Sequence, residues 1–190
     1  MPYYPRHKLE KMGFKSLGRN VKISDRASIY NCHQIEIGSD SRIDDFCVIS
    51  GKVKIGRNVH ITPMCLVAGG LPGVIISDFA TIAYGSKIFA QSDDYSGGSM
   101  TNSTIPKKYK KEYKKKVVIG RHSIIGAGSV IMPGVNVLEG GAIGSMSLVL
   151  KSTESWTVYA GIPIKKLKSR KKDILDFEQK FLKKIRCKFQ

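Results

Sequence analysis

His60, Asp93 and Asp94 are the side chains of this sequence best suited to moving a proton. Histidine exchanges its proton near neutral pH, and a nearby carboxylate can orient it or hold a substrate cation by charge-assisted hydrogen bonds. Asp93 and Asp94 lead into Tyr95 and Ser96, and a second pair, Asp44 and Asp45, lies inside Arg42-Ile-Asp-Asp-Phe-Cys47. Asp44, Asp45, Tyr95 and Ser96 are therefore candidate substrate contacts. The competing role for Asp93 and Asp94 is a capped turn at a loop entrance. Cys32, Cys47, Cys65 and Cys187 form no CxxC pair. Their spread argues for a reducing compartment and against a disulfide scaffold or structural zinc.

What must position these groups is a repeat. Aliphatic residues recur every six positions at Ile37, Ile43, Ile49, Ile55, Ile61 and Val67, then Ile76, Ile82 and Ile88, then Ile119, Ile125, Ile131, Val137, Ile143 and Val149. Ile23 and Ile29 lead in with a two-residue offset, and four positions after most of these stands a small or short residue such as Ser41, Cys47, Cys65, Ser86 or Ser129. Period six fits neither the 3.6 of a helix nor the alternation of one long strand. It fits an all-β fold, a parallel β-helix of short strands and tight corners, with three hexapeptides to a coil. Unrelated strands of a sandwich would not hold one phase over five coils.

The pattern predicts an N-terminal cap over residues 1–20, a β-helix over 21–168 and a C-terminal helix over 169–190. Leu9, Met12, Phe14 and Leu17 supply the cap's apolar face; Ile174, Phe177, Phe181, Leu182 and Ile185 recur at helical spacing in the last segment. A long loop insertion, 89–118, leaves the third of the last five coils and is the functional candidate, because a stacked solenoid tolerates insertions only where they leave the coil. Cys47 and Cys65 point inward and are not nucleophiles. His60 closes the hexapeptide Ile55 to His60 and should project from a corner; Asp93 closes another, on a different corner one coil later. His122 is expected on an outer strand position, His33 at a register break and His7 in the cap, all in structural roles.

The chain of 190 residues carries a formal charge of +17, which calls for an anionic partner. Residues 107–116 hold seven lysines, two tyrosines and one glutamate. Such a run can bind single-stranded nucleic acid, form a basic rim over a nucleotide or coenzyme, or stand solvated. Nucleic acid is the weakest of these, since no zinc finger, P-loop or RNA-recognition motif accompanies the run. No apolar stretch reaches the length of a membrane span, and Met1 to Lys11 lacks the apolar region of a secretory signal, so a cytoplasmic location is expected.

The hexapeptides Ile125 to Val130 (Ile-Gly-Ala-Gly-Ser-Val) and Ile131 to Val135, with Ala-Gly-Ile-Pro at Ala160 to Pro163, resemble the hexapeptide acyltransferases. The resemblance implies a left-handed winding, a homotrimer, and acetyl-CoA in the cleft between neighbouring chains. Met12-Gly-Phe14, Arg42 to Cys47, His60-Ile61, Asp93 to Gly97, Thr104-Ile-Pro106 and Trp156 to Gly161 are similar to enzymes that acetylate the 4-amino group of a dTDP-linked 4-amino-4,6-dideoxyglucose, and to related surface-polysaccharide acetyltransferases. It also implies acetyl-CoA contacts at Ala127, Ser145, Leu150, Lys151, Lys165 and Lys168, the two last for CoA phosphates, and a nucleotide-sugar substrate. In a trimer, any partnership of His60 with Asp93 or Asp94 is expected to form between subunits.

Galactoside and maltose acetyltransferases of this family carry a catalytic histidine at the position of Asp93, and the excursion here has none. A sugar amine resembling an α-amino group, with a pKa of about 8, costs only about 1.4 kcal/mol to deprotonate at neutral pH. A hydroxyl depends on a positioned base worth roughly 100- to 10,000-fold. The chain is thus expected to be an acetyl-CoA-dependent N-acetyltransferase with His60 as base. The alternatives are O-acetylation of a sugar hydroxyl and a non-catalytic basic scaffold. A zinc hydratase of the same winding is disfavoured, because His60 and His122 stand far apart in register and no third histidine joins them; no metal is expected.

Overall fold

The computed structural model describes residues 2–188, with side chains through residue 184. Met1, Phe189 and Gln190, and the side chains of Ile185 and Cys187, lie outside the described residues. The chain winds as a parallel β-solenoid whose short strands stack into three faces. The first face runs from Ser16–Leu17 through Ile35–Ile37, Val53–Ile55, Val74–Ile76 and Val117–Ile119 to Asn136–Val137. The second runs from Lys22–Ile23 through Arg42–Ile43, His60–Ile61, Thr81–Ile82, Ile124–Ile125 and Ala142–Ile143 to Thr157–Gly161, with the antiparallel strand Ile164–Ser169 at its end. The third runs from Ser28–Ile29 through Val48–Ser50, Leu66–Ala68, Lys87–Phe89 and Val130–Ile131 to Leu148–Val149.

The six-residue period is the cause of this stacking. Ile37, Ile43 and Ile49 face inward from the three sides of one coil, and every later aliphatic of the period is buried behind them. Because side chains alternate along a strand, the residue before each inward aliphatic faces out. Each coil then repeats the last in register: Ile43 pairs with Ile61, Ile61 with Ile82, Ile82 with Ile125 and Ile125 with Ile143. Ser41, Ser86 and Ser129 fill the small inward places, and their hydroxyls donate to backbone carbonyls of Gly56, Gly126 and Gly144. That satisfies polar groups whose burial would otherwise cost stability. Cys47 and Cys65 are buried in the lumen as free thiols.

Tight corners make the triangle. Between the first and second faces, Asn20, Asp40, Asn58, Phe79, His122, Gly140 and Trp156 all have left-handed backbone, one per coil. Between the second and third, the same conformation falls on Phe46, Met64, Gly85, Gly128 and Met146. A bulky residue is uncommon there. The strain is offset by hydrogen bonds to a neighbouring coil, such as Phe79 N–H to Arg57 O (3.0 Å) and Met146 N–H to Ala127 O (2.7 Å).

Three sequence expectations are adjusted. The winding begins before residue 21, because Ser16 and Leu17 pair with Glu36 and Ile37 and only Arg6–Lys11 is helical in the cap. His60 lies on the second-face strand His60–Ile61, paired with Arg42, and not at a corner; the excursion has its own neck, where Gln91–Ser92 pairs antiparallel with Tyr113–Lys114. His122 stands at a corner and not on a strand, and it anchors the C-terminal helix, Ile174–Lys188.

Glu178 of that helix accepts from His122 Nε2 (2.7 Å) and from Arg121. Phe181 meets Phe79 edge-on at 6.3 Å, and Phe79 stacks on His122 at 5.3 Å. Arg170 Nη1 donates to the carbonyls of His122 and Gly140 just before the helix. Burial, and next the Arg121 guanidinium, push the His122 imidazole below its ordinary pKa. Glu178→Ala removes two charge-assisted bonds of a mostly buried carboxylate, at a cost of about 1.5–3 kcal/mol each before relaxation. We expect hydrogen exchange over residues 174–184 to rise at least tenfold in that variant while the coils stay protected.

Candidate active site

The outer column of the second face is a line of cations that gives way to an imidazole. Lys22, Arg42 and His60 lie in register on successive coils, each just before an inward isoleucine. His60 Nε2 meets Asp44 Oδ2 at 2.8 Å, and Arg42 Nε meets Asp44 Oδ1 at 2.6 Å. The Tyr3 hydroxyl donates to Oδ1 at 3.4 Å. Asp44 is buried, whereas the His60 side chain is 40% exposed. Burial alone would raise the Asp44 pKa; the hydrogen bonds from Arg42 and His60 outweigh it and hold the carboxyl below the ordinary range. An ionised Asp44 accepts the Nε2 proton of a neutral His60, which leaves the Nδ1 lone pair free to take another. Asp45 faces the other way, toward Ser24 Oγ (2.5 Å) and Arg26.

A protonated Asp44 would lose both charge-assisted partners. Its contribution is therefore complete above the unfolded carboxyl pKa and is lost as pH falls through the lowered folded value. The difference in melting temperature between the wild type and Asp44→Asn should be largest near neutral pH and should shrink progressively as the pH falls below the ordinary carboxyl value of 3.8, as followed by circular dichroism.

The excursion builds a second group. Asp94 accepts from Ser96 N–H (2.9 Å) and Ser99 Oγ (3.0 Å), and Asp93 accepts from Asn102 N–H (3.1 Å). The bonds from Ser96, then that from Ser99, lower the Asp94 pKa. Both aspartates, Tyr95 and Ser96 line a cavity of about 460 Å³ with Tyr113, Met132, Pro133 and Leu150. Met132 and Pro133 were not among the expected residues; the signal for them is their place at the same corner one coil above the excursion. The lysine-rich run is partly tied down: Glu112 binds Lys114 Nζ (2.6 Å), and Lys110 Nζ, mostly buried, donates to Asn102 O (2.7 Å).

A third feature is a bare shelf at the corner between the second and third faces. On the upper coils this corner reads Gly126-Ala127-Gly128 and Gly144-Ser145-Met146. A Cβ at Gly126 would come within 2.5 Å of Ser145 N, so the two coils touch backbone to backbone. The N–H groups of Ala127 and Ser145 have no hydrogen-bond partner among the described residues. Open N–H groups on successive coils can donate to the carbonyls of an extended chain bearing amides. Leu150 and Lys151 instead leave the third face, and Lys165 and Lys168 stand on the strand Ile164–Ser169 opposite Ala160 and Val158.

Within one chain, then, Asp93, Asp94, Tyr95, Ser96 and Leu150 come together, and Asp44 joins His60. His60 lines none of the Asp94 cavity. The six expected coenzyme contacts fall in three places. Among the described residues, no group of three or more His, Cys, Asp or Glu gathers as a metal site, and no helix is long and apolar enough to cross a membrane.

Residues 34–69 match the family model described as bacterial transferase hexapeptide (six repeats). The chain is 43% identical over 184 residues, 95% of both chains, to the dTDP-4-amino-4,6-dideoxy-D-glucose acyltransferase of Escherichia coli. The crystal structure of AntD, an N-acyltransferase from Bacillus cereus, in complex with dTDP and 3-hydroxybutyryl-CoA superposes with a TM-score of 0.95 at 44% identity, covering 97% of this chain and 98% of that one. A single-substitution variant of AntD in complex with dTDP-4-amino-4,6-dideoxyglucose and coenzyme A gives 0.95 at 46% identity, covering 96% and 98%. With this winding, this shelf and this identity over nearly its whole length, the chain belongs to the hexapeptide-repeat acyltransferases, in the group that includes the E. coli enzyme.

Proposed function

We propose that the protein transfers an acetyl group from acetyl-CoA to the 4-amino group of dTDP-4-amino-4,6-dideoxyglucose, in the cytoplasm, as a step toward a surface polysaccharide. The observation that carries this is the near full-length identity to a dTDP-4-amino-4,6-dideoxy-D-glucose acyltransferase, in a chain whose Asp44-held His60 lies on the coils below an open-amide shelf. Acyl-CoA, lying along that shelf, supplies an activated carbonyl. The open N–H groups of Ala127 and Ser145 hold its pantetheine amides, while Lys165 and Lys168 offer charge to its phosphates.

The Asp94 carboxylate, kept ionised by Ser96 and Ser99, holds the sugar ammonium, which gives up one proton to solvent. The free amine attacks the thioester carbonyl, His60 Nδ1 takes the second proton from the nitrogen, and the C–S bond breaks as coenzyme A leaves as a thiolate and is protonated to the thiol. Asp44 keeps the imidazole oriented and stabilises its charged form. His60 faces out from a strand of the second face, whereas Asp94 stands in the excursion that leaves the third face and lines a cavity without His60, so we infer that the complete site needs two chains and place it at the interfaces of a homotrimer.

The test is incubation with acetyl-CoA and the dTDP-amino sugar, following thiol release and product mass. A product acylated on nitrogen is expected, and the analogue bearing a hydroxyl in place of the amine should release no thiol. Equal turnover of that analogue would replace this reading with O-transfer. In Asp94→Asn, KM for the amino sugar should rise about tenfold or more while the acetyl-CoA dissociation constant stays fixed, since one charge-assisted contact is lost.

A further inference from the structure

The corner that forms the shelf changes character halfway down the solenoid. The strand register continues two residues past each inward isoleucine of the second face, which stacks Ser145 on Ala127, Ala127 on Tyr84, Tyr84 on Pro63 and Pro63 on Asp45. Two coils of the column carry almost no side chain; the third carries a phenol. Tyr84 is 57% exposed, and its carbonyl accepts from Gly128 N–H at 2.8 Å, so its backbone lies directly beneath the shelf. The strand before it, Thr81–Ile82, lies one coil from that of His60 and two from that of Arg42, with Thr81 paired to His60 and His60 to Arg42.

We propose that Tyr84 sets the length of acyl group the enzyme accepts, closing the lower end of the shelf so that acetyl fits and longer chains do not. The proposal rests on the reading of the shelf as the acyl-CoA site. A chain lying on Ser145 and Ala127 and directed at His60 must deliver its acyl end on the next coil down, about 4.8 Å below Ala127. That coil presents the Tyr84 ring. Each extra methylene must then displace the ring or bend away from the attacking nitrogen. In a closed site, one methylene is worth about 10- to 200-fold in discrimination.

The experiment measures kcat/KM for acetyl-CoA and for 3-hydroxybutyryl-CoA, with the same dTDP-amino sugar, in the wild type, Tyr84→Ala and Tyr84→Phe. The wild type should favour acetyl by about 100-fold or more. Tyr84→Ala should cut that ratio at least tenfold, and Tyr84→Phe, which keeps the bulk and loses the hydroxyl, should leave it unchanged. A wild type indifferent to acyl length, an unchanged ratio in Tyr84→Ala, or an equal fall in Tyr84→Phe would overturn the gate while leaving acyl transfer standing. A wild type that transfers neither acyl group would overturn the functional reading, and the gate with it. Because Tyr84 is exposed at a corner, Tyr84→Ala should keep the wild-type melting temperature within about 2 °C, so a changed ratio reports the site and not the fold.

Discussion

His60→Ala should lower kcat about 100-fold at pH 7 and leave the acetyl-CoA dissociation constant within a factor of two. The magnitude follows from the nucleophile. An amine with a pKa near 8 is partly free at neutral pH, so a base saves little before attack; it acts on the proton that the nitrogen sheds afterwards. General bases contribute roughly 100- to 10,000-fold, and the lower end applies where the nucleophile is already basic. Asp44→Asn should cost less, about tenfold, because the imidazole survives and loses only its orientation and a charged partner. Added external amines or imidazole should restore part of the His60→Ala rate, which a merely structural defect would not allow. Stopped-flow thiol release measures all three, and unchanged turnover in His60→Ala would remove the imidazole from the mechanism.

The lumen was legible from residue order because it is a one-dimensional property. Every aliphatic from Ile37 to Val149 in the six-residue phase is buried, since a solenoid repeats each coil's packing on the next. Contacts that run diagonally between coils are harder to read. Asp44 precedes His60 by 16 residues in a coil of 18, so the period stacks His60 on Arg42, and the carboxylate reaches the ring only through its rotamer. Residue order therefore offers Asp44 as a substrate contact and gives no sign of its bond to His60.

His122 shows the same limit from another side. A histidine after Arg121 carries no sequence sign of left-handed backbone, nor of Glu178 arriving from a helix 56 residues later. Ala127 and Ser145 are marked in the sequence by motif resemblance alone, and the N–H groups that the corner leaves open there are a backbone property that no side-chain pattern records.

Mixing two impaired proteins should restore activity. If the chain is a homotrimer in which His60 of one subunit works with Asp94 of the next, His60→Ala impairs every site of its own assembly through kcat and Asp94→Ala through KM for the amino sugar, so turnover is compared at amino-sugar concentrations well below KM. Unfolding and refolding the two together at equal amounts gives random trimers, of which about three-quarters contain both kinds of chain. Every mixed ring has one junction where an intact His60 faces an intact Asp94, so about one-third of its sites, or one-quarter of all sites, should work. Turnover at low amino-sugar concentration should therefore rise from below about a tenth to about a quarter of the wild-type value; the low starting point combines the missing base of one protein with the missing ammonium contact of the other. A site completed within one chain gives no recovery at any ratio. Mixing without unfolding is the control and should stay impaired on the timescale of subunit exchange, so recovery only after refolding would place both residues in one cleft built from two chains.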